Sequence, residues 1–226
     1  MSNRTFEPER VAAVRSRPGV PLAWLSVALM VVLQLPLAGR FFPGEDFAAQ
    51  VKQEAVYWAM AAILLAYIML VERRPLSSVN LRFPTWKNLG LGAVGGLVMV
   101  AGIALLYIEV LPALGTAASA NQLDTVRALP LWFRLAIVLR AAFFEEIFYR
   151  GFVIERLTEL TGLRWLAAAI SLAAFTYAHV DYWGWAHVLI AGFGGCILTG
   201  LYLWRRDLAC SMTAHLLTDA IGLLAG

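Results

Sequence analysis

Residues 130–160 read PLWFRLAIVLRAAFFEEIFYRGFVIERLTEL. Written as an α-helix at 1.5 Å per residue, this stretch is about 45 Å long, more than the roughly 30 Å hydrocarbon core of a bilayer. It is apolar over most of its length, yet Arg140, Glu145, Glu146 and Arg150 fall in its middle. Ionisable groups at membrane depth are costly and turn toward a bundle interior or a watered cavity. The stretch therefore predicts an all-α, polytopic membrane helical bundle built around a polar interior. Its far end, with Glu155, Arg156 and Glu159 followed by Arg164, is expected to project into water.

The rest of the chain reads the same way. Its 226 residues are 61% hydrophobic and 15% charged, with a mean hydropathy of +0.72. Soluble domains run at about 45–50% apolar and about 25% charged. The composition excludes a disordered chain, a disulfide-rich miniprotein and an ordinary soluble enzyme. The net charge of +3 comes without a basic block interleaved with aromatics, so nucleic acid is not an expected partner. Cys196 and Cys210 sit in apolar segments and are too few for a disulfide framework.

Charge-free gaps mark the other spans: Arg17 to Arg40, Glu54 to Glu72, Lys87 to Glu109, Arg164 to Asp181, Asp181 to Arg205, and the segment after Asp207. With residues 130–160 these make about seven transmembrane helices. The chain divides into a tail (1–19), N-terminal transmembrane helices with an outer loop (20–129), and a core carrying the chemistry (130–226), all in one integral membrane domain. The tail is long, charged and without a cleavage site, so it reads as retained rather than as a signal peptide. With the N-terminus inside, inner segments carry 13 lysines and arginines against 4 outside, which favours a cytoplasmic N-terminus. The Ala- and Arg-rich composition points to a prokaryotic inner or cell membrane. Gly92 with Gly96, and Gly192 with Cys196 and Gly200, are expected to form close helix contacts. Trp86, Trp132, Trp183 and Trp185 are expected as interfacial anchors.

Ionisable residues concentrate in three late segments: Glu145-Glu146-Ile147-Phe148-Tyr149-Arg150, Phe175-Thr176-Tyr177-Ala178-His179, and His215-Leu216-Leu217-Thr218-Asp219. Glu146 and Arg150 are four apart and share a helix face, so they can pair. Glu145 is turned about 100° away and is left available. His215 and Asp219 are also four apart, so the aspartate can orient the imidazole. Phe175 lies one turn from His179. If the chain turns at Thr161-Gly162, the glutamates and His179 both lie roughly 25 Å from that turn. Antiparallel helices would bring them to one level, with His215 entering from the last helix. Arg140 lines the cavity or snorkels, and both readings stay open. His187 matches no motif and reads as structural.

The order and spacing of EExxxR, FxxxH and HxxxD resemble the signature of the CAAX protease and bacteriocin-processing (abortive-infection) family. These are intramembrane endopeptidases related to the type II CAAX prenyl proteases. The resemblance rests on Glu145, Glu146, Arg150, Phe175, His179, His215 and Asp219, and covers about residues 130–226. Tyr149 stands where the family often has Phe, and Asp219 where many CAAX-cleaving members have Asn. The resemblance implies hydrolysis of a peptide bond in a membrane-tethered or hydrophobic substrate. Glu145 would activate water, His179 would position it, and His215 with Asp219 would act around the oxyanion. Glu146, Arg150 and Phe175 would shape the site. No cofactor is expected. A zinc set of Glu145, Glu146, His179 and His215 is the alternative, disfavoured because no HExxH or inverse motif occurs and an arginine lies beside the carboxylates. A non-proteolytic scaffold or a proton-coupled transporter using the same cavity is the other class of function.

Overall fold

The computed structural model describes residues 20–116 and 120–224. The expected cytoplasmic tail, 1–19, lies outside the described residues. The chain folds into helices α1 (Val20–Gln34), α2 (Leu37–Phe41), α3 (Phe47–Val71) and α4 (Trp86–Ala113). A short α5 (Ala120–Arg127) leads to the long α6 (131–161), followed by α7 (Arg164–Ala178), α8 (His187–Arg205) and α9 (Leu208–Leu224). No strand occurs among the described residues.

Local chemistry sets the boundaries. Asp46 caps α3 by accepting from Ala49 N at 2.8 Å, and Thr85 caps α4 by accepting from Asn88 N at 3.3 Å. Gly162 ends α6 with φ +74°, a left-handed cap that glycine adopts without strain. The turn thus falls at the expected Thr161-Gly162 position.

Among the described residues, α3, α4 and α8 are long and apolar enough to cross a membrane. The apolar stretch Leu22–Gln34 of α1 and α9 are shorter. Length and composition therefore support three candidate spans within an all-helical architecture. Outer faces carry large exposed apolar side chains, including Ile63, Met69 and Leu70 on α3 and Val94, Leu97, Val98 and Leu105 on α4. Lipid tolerates such a surface, whereas water would not.

α9 lies at the centre, packed on α4, α6 and α8. The Gly92/Gly96 ridge does what the sequence suggests. A Cβ on Gly96 would lie 2.9 Å from Ala214 O, and one on Gly92 would meet Cys210 O. The second expected ridge is displaced: Gly200 faces open space and Cys196 is exposed. The close approach of α7 and α8 runs instead through Gly195, where a Cβ would lie 2.7 Å from Leu172 Cδ1 and 3.0 Å from Phe175 Cδ1.

The far end of α6 corrects another expectation. Glu155 and Arg156 do not project into water but are buried. Arg156 Nε donates to Glu72 Oε1 at 2.8 Å, while Glu155 accepts from Tyr202 Oη at 2.7 Å and Arg206 Nη2 at 2.6 Å. The loop between α3 and α4 and the end of α8 fold over this end, with Asn80 Nδ2 donating to Tyr202 Oη at 2.8 Å. Burial is tolerated there because each charge has a partner of opposite sign. Glu159 and Arg164 remain partly exposed.

Candidate active site

The middle of α6, Ala141–Val153, is wound as a π-helix rather than an α-helix. π-winding closes i→i+5 hydrogen bonds and gathers at functional sites. It presents Glu145, Glu146 and Arg150 to the bundle interior. Glu146 and Arg150 are completely buried, and His215 nearly so.

Glu146 Oε1 accepts from Arg150 Nη1 at 2.7 Å and lies 3.0 Å from His215 Nδ1. The other ring nitrogen, His215 Nε2, lies 3.5 Å from Asp219 Oδ2. Arg150, Glu146, His215 and Asp219 thus form one continuous line from α6 into α9. Asp219 is the open end of that line, with its side chain 26% exposed.

Phe175 is the hub that adds α7. Its ring centroid lies 4.6 Å from that of His179, 5.2 Å from that of Tyr149 and 6.2 Å from that of His215. The Arg150 guanidinium carbon sits 4.2 Å from the same centroid, a cation–π contact away from water. Only glycine at position 195 leaves Phe175 this space, since a Cβ there would lie 3.0 Å from its ring. Ser171 Oγ donates to Tyr149 O at 2.6 Å, holding α7 against α6 at this level.

His179 ends α7, and its Nδ1 lies 2.7 Å from Phe175 O. It joins the line of charges through the Phe175 ring and lies within electrostatic reach of Asp219. His187, set aside in the sequence, is brought to the site. Its ring stacks on His179 with centroids 6.0 Å apart and on Trp183 with centroids 4.9 Å apart. Trp183, expected as an interfacial anchor, is thus the outer plate of a three-ring stack. His187 stands eight residues after His179, across a turn whose path no periodicity reveals.

Glu145 occupies a different environment from Glu146. One oxygen, Oε1, accepts from Arg140 Nη1 at 3.0 Å; the other, Oε2, is buried without a hydrogen-bond partner, as Glu146 Oε2 also is, so the difference lies in the partners of Oε1 and in exposure. The side chain is 16% exposed and lies within electrostatic reach of His215 and Asp219. Arg140, whose two readings were open, therefore lines the site. It also donates from Nε to Glu54 Oε1 at 3.0 Å and Oε2 at 3.2 Å, and it stands over the Tyr57 ring at 4.8 Å. Glu54 served in the sequence as the edge of a span, yet it is buried within α3. An acidic residue inside an apolar run was the available signal for it.

Two further features hold the frame. Tyr149 Oη donates to Gln34 Oε1 at 3.1 Å, and Gln34 Nε2 donates to Ala174 O at 2.9 Å, tying α1 to α6 and α7. The Tyr149 departure from the family pattern thus has a partner of its own. Arg127 Nη2 donates to Gly222 O at 2.8 Å and Arg134 Nη1 to Leu223 O at 2.9 Å. These cap the last carbonyls of α9 and steady the turn that presents Asp219.

The residues named in the zinc alternative each have another partner here. Among the described residues, no three His, Cys, Asp or Glu side chains are arranged to hold a metal ion. The Glu146 oxygen nearest His215 is engaged by the Arg150 guanidinium, and both His215 nitrogens face carboxylates. Of the four residues of the zinc alternative, Glu145 and Glu146 each give one oxygen to an arginine. The arrangement instead offers a carboxylate with one unengaged oxygen beside an imidazole flanked by two carboxylates, groups able to take and return a proton.

Comparison with known proteins adds to this geometry. The chain is 29% identical over 128 residues to UPF0177 protein YvdC of Lactococcus lactis subsp. lactis (strain IL1403). That match covers 56% of this chain and 46% of the relative, so the chain spans less than half of that protein's length. No solved structure matches. Residues 127–221 match the family of type II CAAX prenyl endopeptidase Rce1-like proteins, and that stretch contains every residue of the EExxxR, FxxxH and HxxxD motifs, so the family resemblance read from the sequence is shown.

Proposed function

We propose that this chain is an intramembrane endopeptidase that hydrolyses a peptide bond in a membrane-embedded or lipid-anchored substrate, with Glu145 activating water. The single observation that carries this reading is the unequal placement of the two glutamates. Both keep one oxygen without a hydrogen-bond partner, but Glu146 is fully buried with its Oε1 held by Arg150 and His215, whereas the Glu145 side chain is 16% exposed and is the one open to water. A base needs an oxygen free to take a proton from water within hydrogen-bond reach.

In this mechanism Glu145 Oε2 accepts a proton from water, and the water oxygen attacks the scissile carbonyl carbon. His215 faces the developing oxyanion. Its Nε2 stands 3.5 Å from Asp219, at the limit of a hydrogen bond, so it can turn its N–H to the substrate. Glu146 holds the other nitrogen and balances the charge. His179, fixed by Phe175 and stacked on His187, positions the water. The proton held by Glu145 then passes to the leaving amine. The reaction needs no cofactor in this reading. We place the protein in a prokaryotic cell membrane with about seven crossings and a cytoplasmic N-terminus, the helices from 131 onward forming the catalytic region.

The test is cleavage of a membrane-tethered peptide by purified protein carrying Glu145→Ala, Glu146→Ala, His179→Ala or His215→Ala. Comparing the proteomes of cells with wild-type protein and with Glu145→Gln identifies the substrate as an accumulated precursor. Undiminished cleavage by Glu145→Ala overturns the assignment of the base. A second reading draws on the Asp219–His215–Glu146 line, which is also the chemistry of a proton relay. Proton-dependent solute uptake into proteoliposomes without peptide cleavage would favour that transporter.

A further inference from the structure

Outside the three motifs, the structure places two more ionisable residues against Glu145. Arg140 and Glu145 are five apart in sequence, and Glu54 comes from α3. The guanidinium is shared: Nε faces both oxygens of Glu54, at 3.0 and 3.2 Å, and Nη1 faces only Oε1 of Glu145, at 3.0 Å. The cation is pinned from a third side by the Tyr57 ring at 4.8 Å.

We propose that Glu54 and Arg140 are positioning residues that act through Glu145: the guanidinium holds one oxygen of Glu145, and Glu54 keeps that guanidinium from closing on the other. This rests on Glu145 as the proposed base. An arginine facing a carboxylate frequently engages both oxygens, as Arg140 does with Glu54. Here the competing carboxylate turns the Nε edge of the fork toward α3, which leaves Glu145 Oε2 without a partner. A base pinned on both oxygens would have none left for water. Two carboxylates also share the one cation, so its charge is divided between Glu54 and Glu145. The other groups within reach of Glu145 are Tyr57 of α3, Tyr149 of its own helix, and His215 and Asp219 of α9. None of these carries a guanidinium, and Arg140 is the group in direct hydrogen-bond contact with Glu145 Oε1.

Infrared difference spectroscopy of the purified full chain in lipid tests this without a known substrate. The Glu145 signal is the difference between a protein and its Glu145→Gln counterpart near neutral pH. In wild type it is expected as a carboxylate pair of bands. Arg140→Gln should shift that pair, since it removes the guanidinium contact to Oε1. Glu54→Gln should retain the pair and narrow its splitting as the fork closes on both oxygens, and cleavage of a tethered peptide should fall in kcat with KM unchanged. Arg140→Lys, a milder change if Arg140→Gln does not fold, should retain the Glu145 carboxylate and alter the Glu54 bands, since one ammonium cannot keep the same three contacts. Glu145 bands unchanged in Arg140→Gln and Glu54→Gln, or Glu54 bands unchanged in Arg140→Lys, overturn the proposal and leave the triad a tie between α3 and α6. Wild-type cleavage by Glu145→Gln is a separate outcome: it removes the base, whatever the infrared bands show.

Discussion

Glu146 Oε1 is shared between Arg150 Nη1, 2.7 Å away, and His215 Nδ1, 3.0 Å away. One fully buried oxygen atom therefore joins the second position of EExxxR to the first of HxxxD, a histidine 69 residues further along the chain. Arg150 and Glu146 belong to one helix, and only His215 brings in another. The orientation of the imidazole thus depends on an ion pair that is itself local.

Removing one partner of such a buried pair leaves the other charge uncompensated. Arg150→Ala is expected to destabilise the protein by about 3–5 kcal/mol, read as unfolding in detergent. Glu146→Gln together with Arg150→Met should recover most of the loss in stability but none of the cleavage, because His215 stays unheld. Equal stability of Arg150→Ala and wild type would show that the pair contributes nothing to the fold.

Glu145→Gln is nearly isosteric, and its carboxylate makes a single ion pair at the edge of the site. Stability should move little, while cleavage of a tethered peptide should fall by about 10²–10⁴-fold, the range general-base catalysis contributes. The contrast with Glu146→Gln, which should lower both quantities, is the informative comparison.

Glycine positions on α8 separate packing from tolerance. Gly195→Ala would drive a Cβ to 2.7 Å from Leu172 and 3.0 Å from Phe175, so it should cost about 1–3 kcal/mol and displace the ring that links His179 to Arg150. Gly200→Ala meets open space and should be neutral or stabilising by up to about 1 kcal/mol. Thermal unfolding of the two variants side by side checks this, and a reversed order would contradict the helix contact described here.

Prolonged dialysis against a chelator is expected to leave cleavage unchanged, because the proposed mechanism draws its base and its oxyanion donor from Glu145 and His215 alone. Loss of activity that is restored by stoichiometric zinc, together with zinc bound to the purified protein, would require a rearranged site.

His187→Ala should leave the fold intact and lower activity several-fold, since it removes the plate that stacks on His179 at 6.0 Å. His187→Phe, which keeps a flat ring, should recover most of that loss. Kinetics of the two variants on one peptide decide between a stacking role and none.

Much of the molecule was legible before any coordinates. Apolar runs bounded by charges marked out the helices, because bilayer thickness and helix rise are constants. Glu146 with Arg150, and His215 with Asp219, were legible because residues four apart meet on a helix face whatever surrounds it. What only the tertiary structure decided were the partners that helix periodicity cannot reach. Arg140 and Glu145 are five apart, which on an α-helix leaves them about 140° out of line. The change to π-winding at Ala141, with its i→i+5 period, brings them together. Glu54 and His187 arrive through the rotation of neighbouring helices and the path of a turn, and Glu155 with Arg156 is buried by a loop folded over them. Spacing along one helix is a local property of the chain, whereas the pairing of a buried charge depends on which distant group the packed bundle sets beside it.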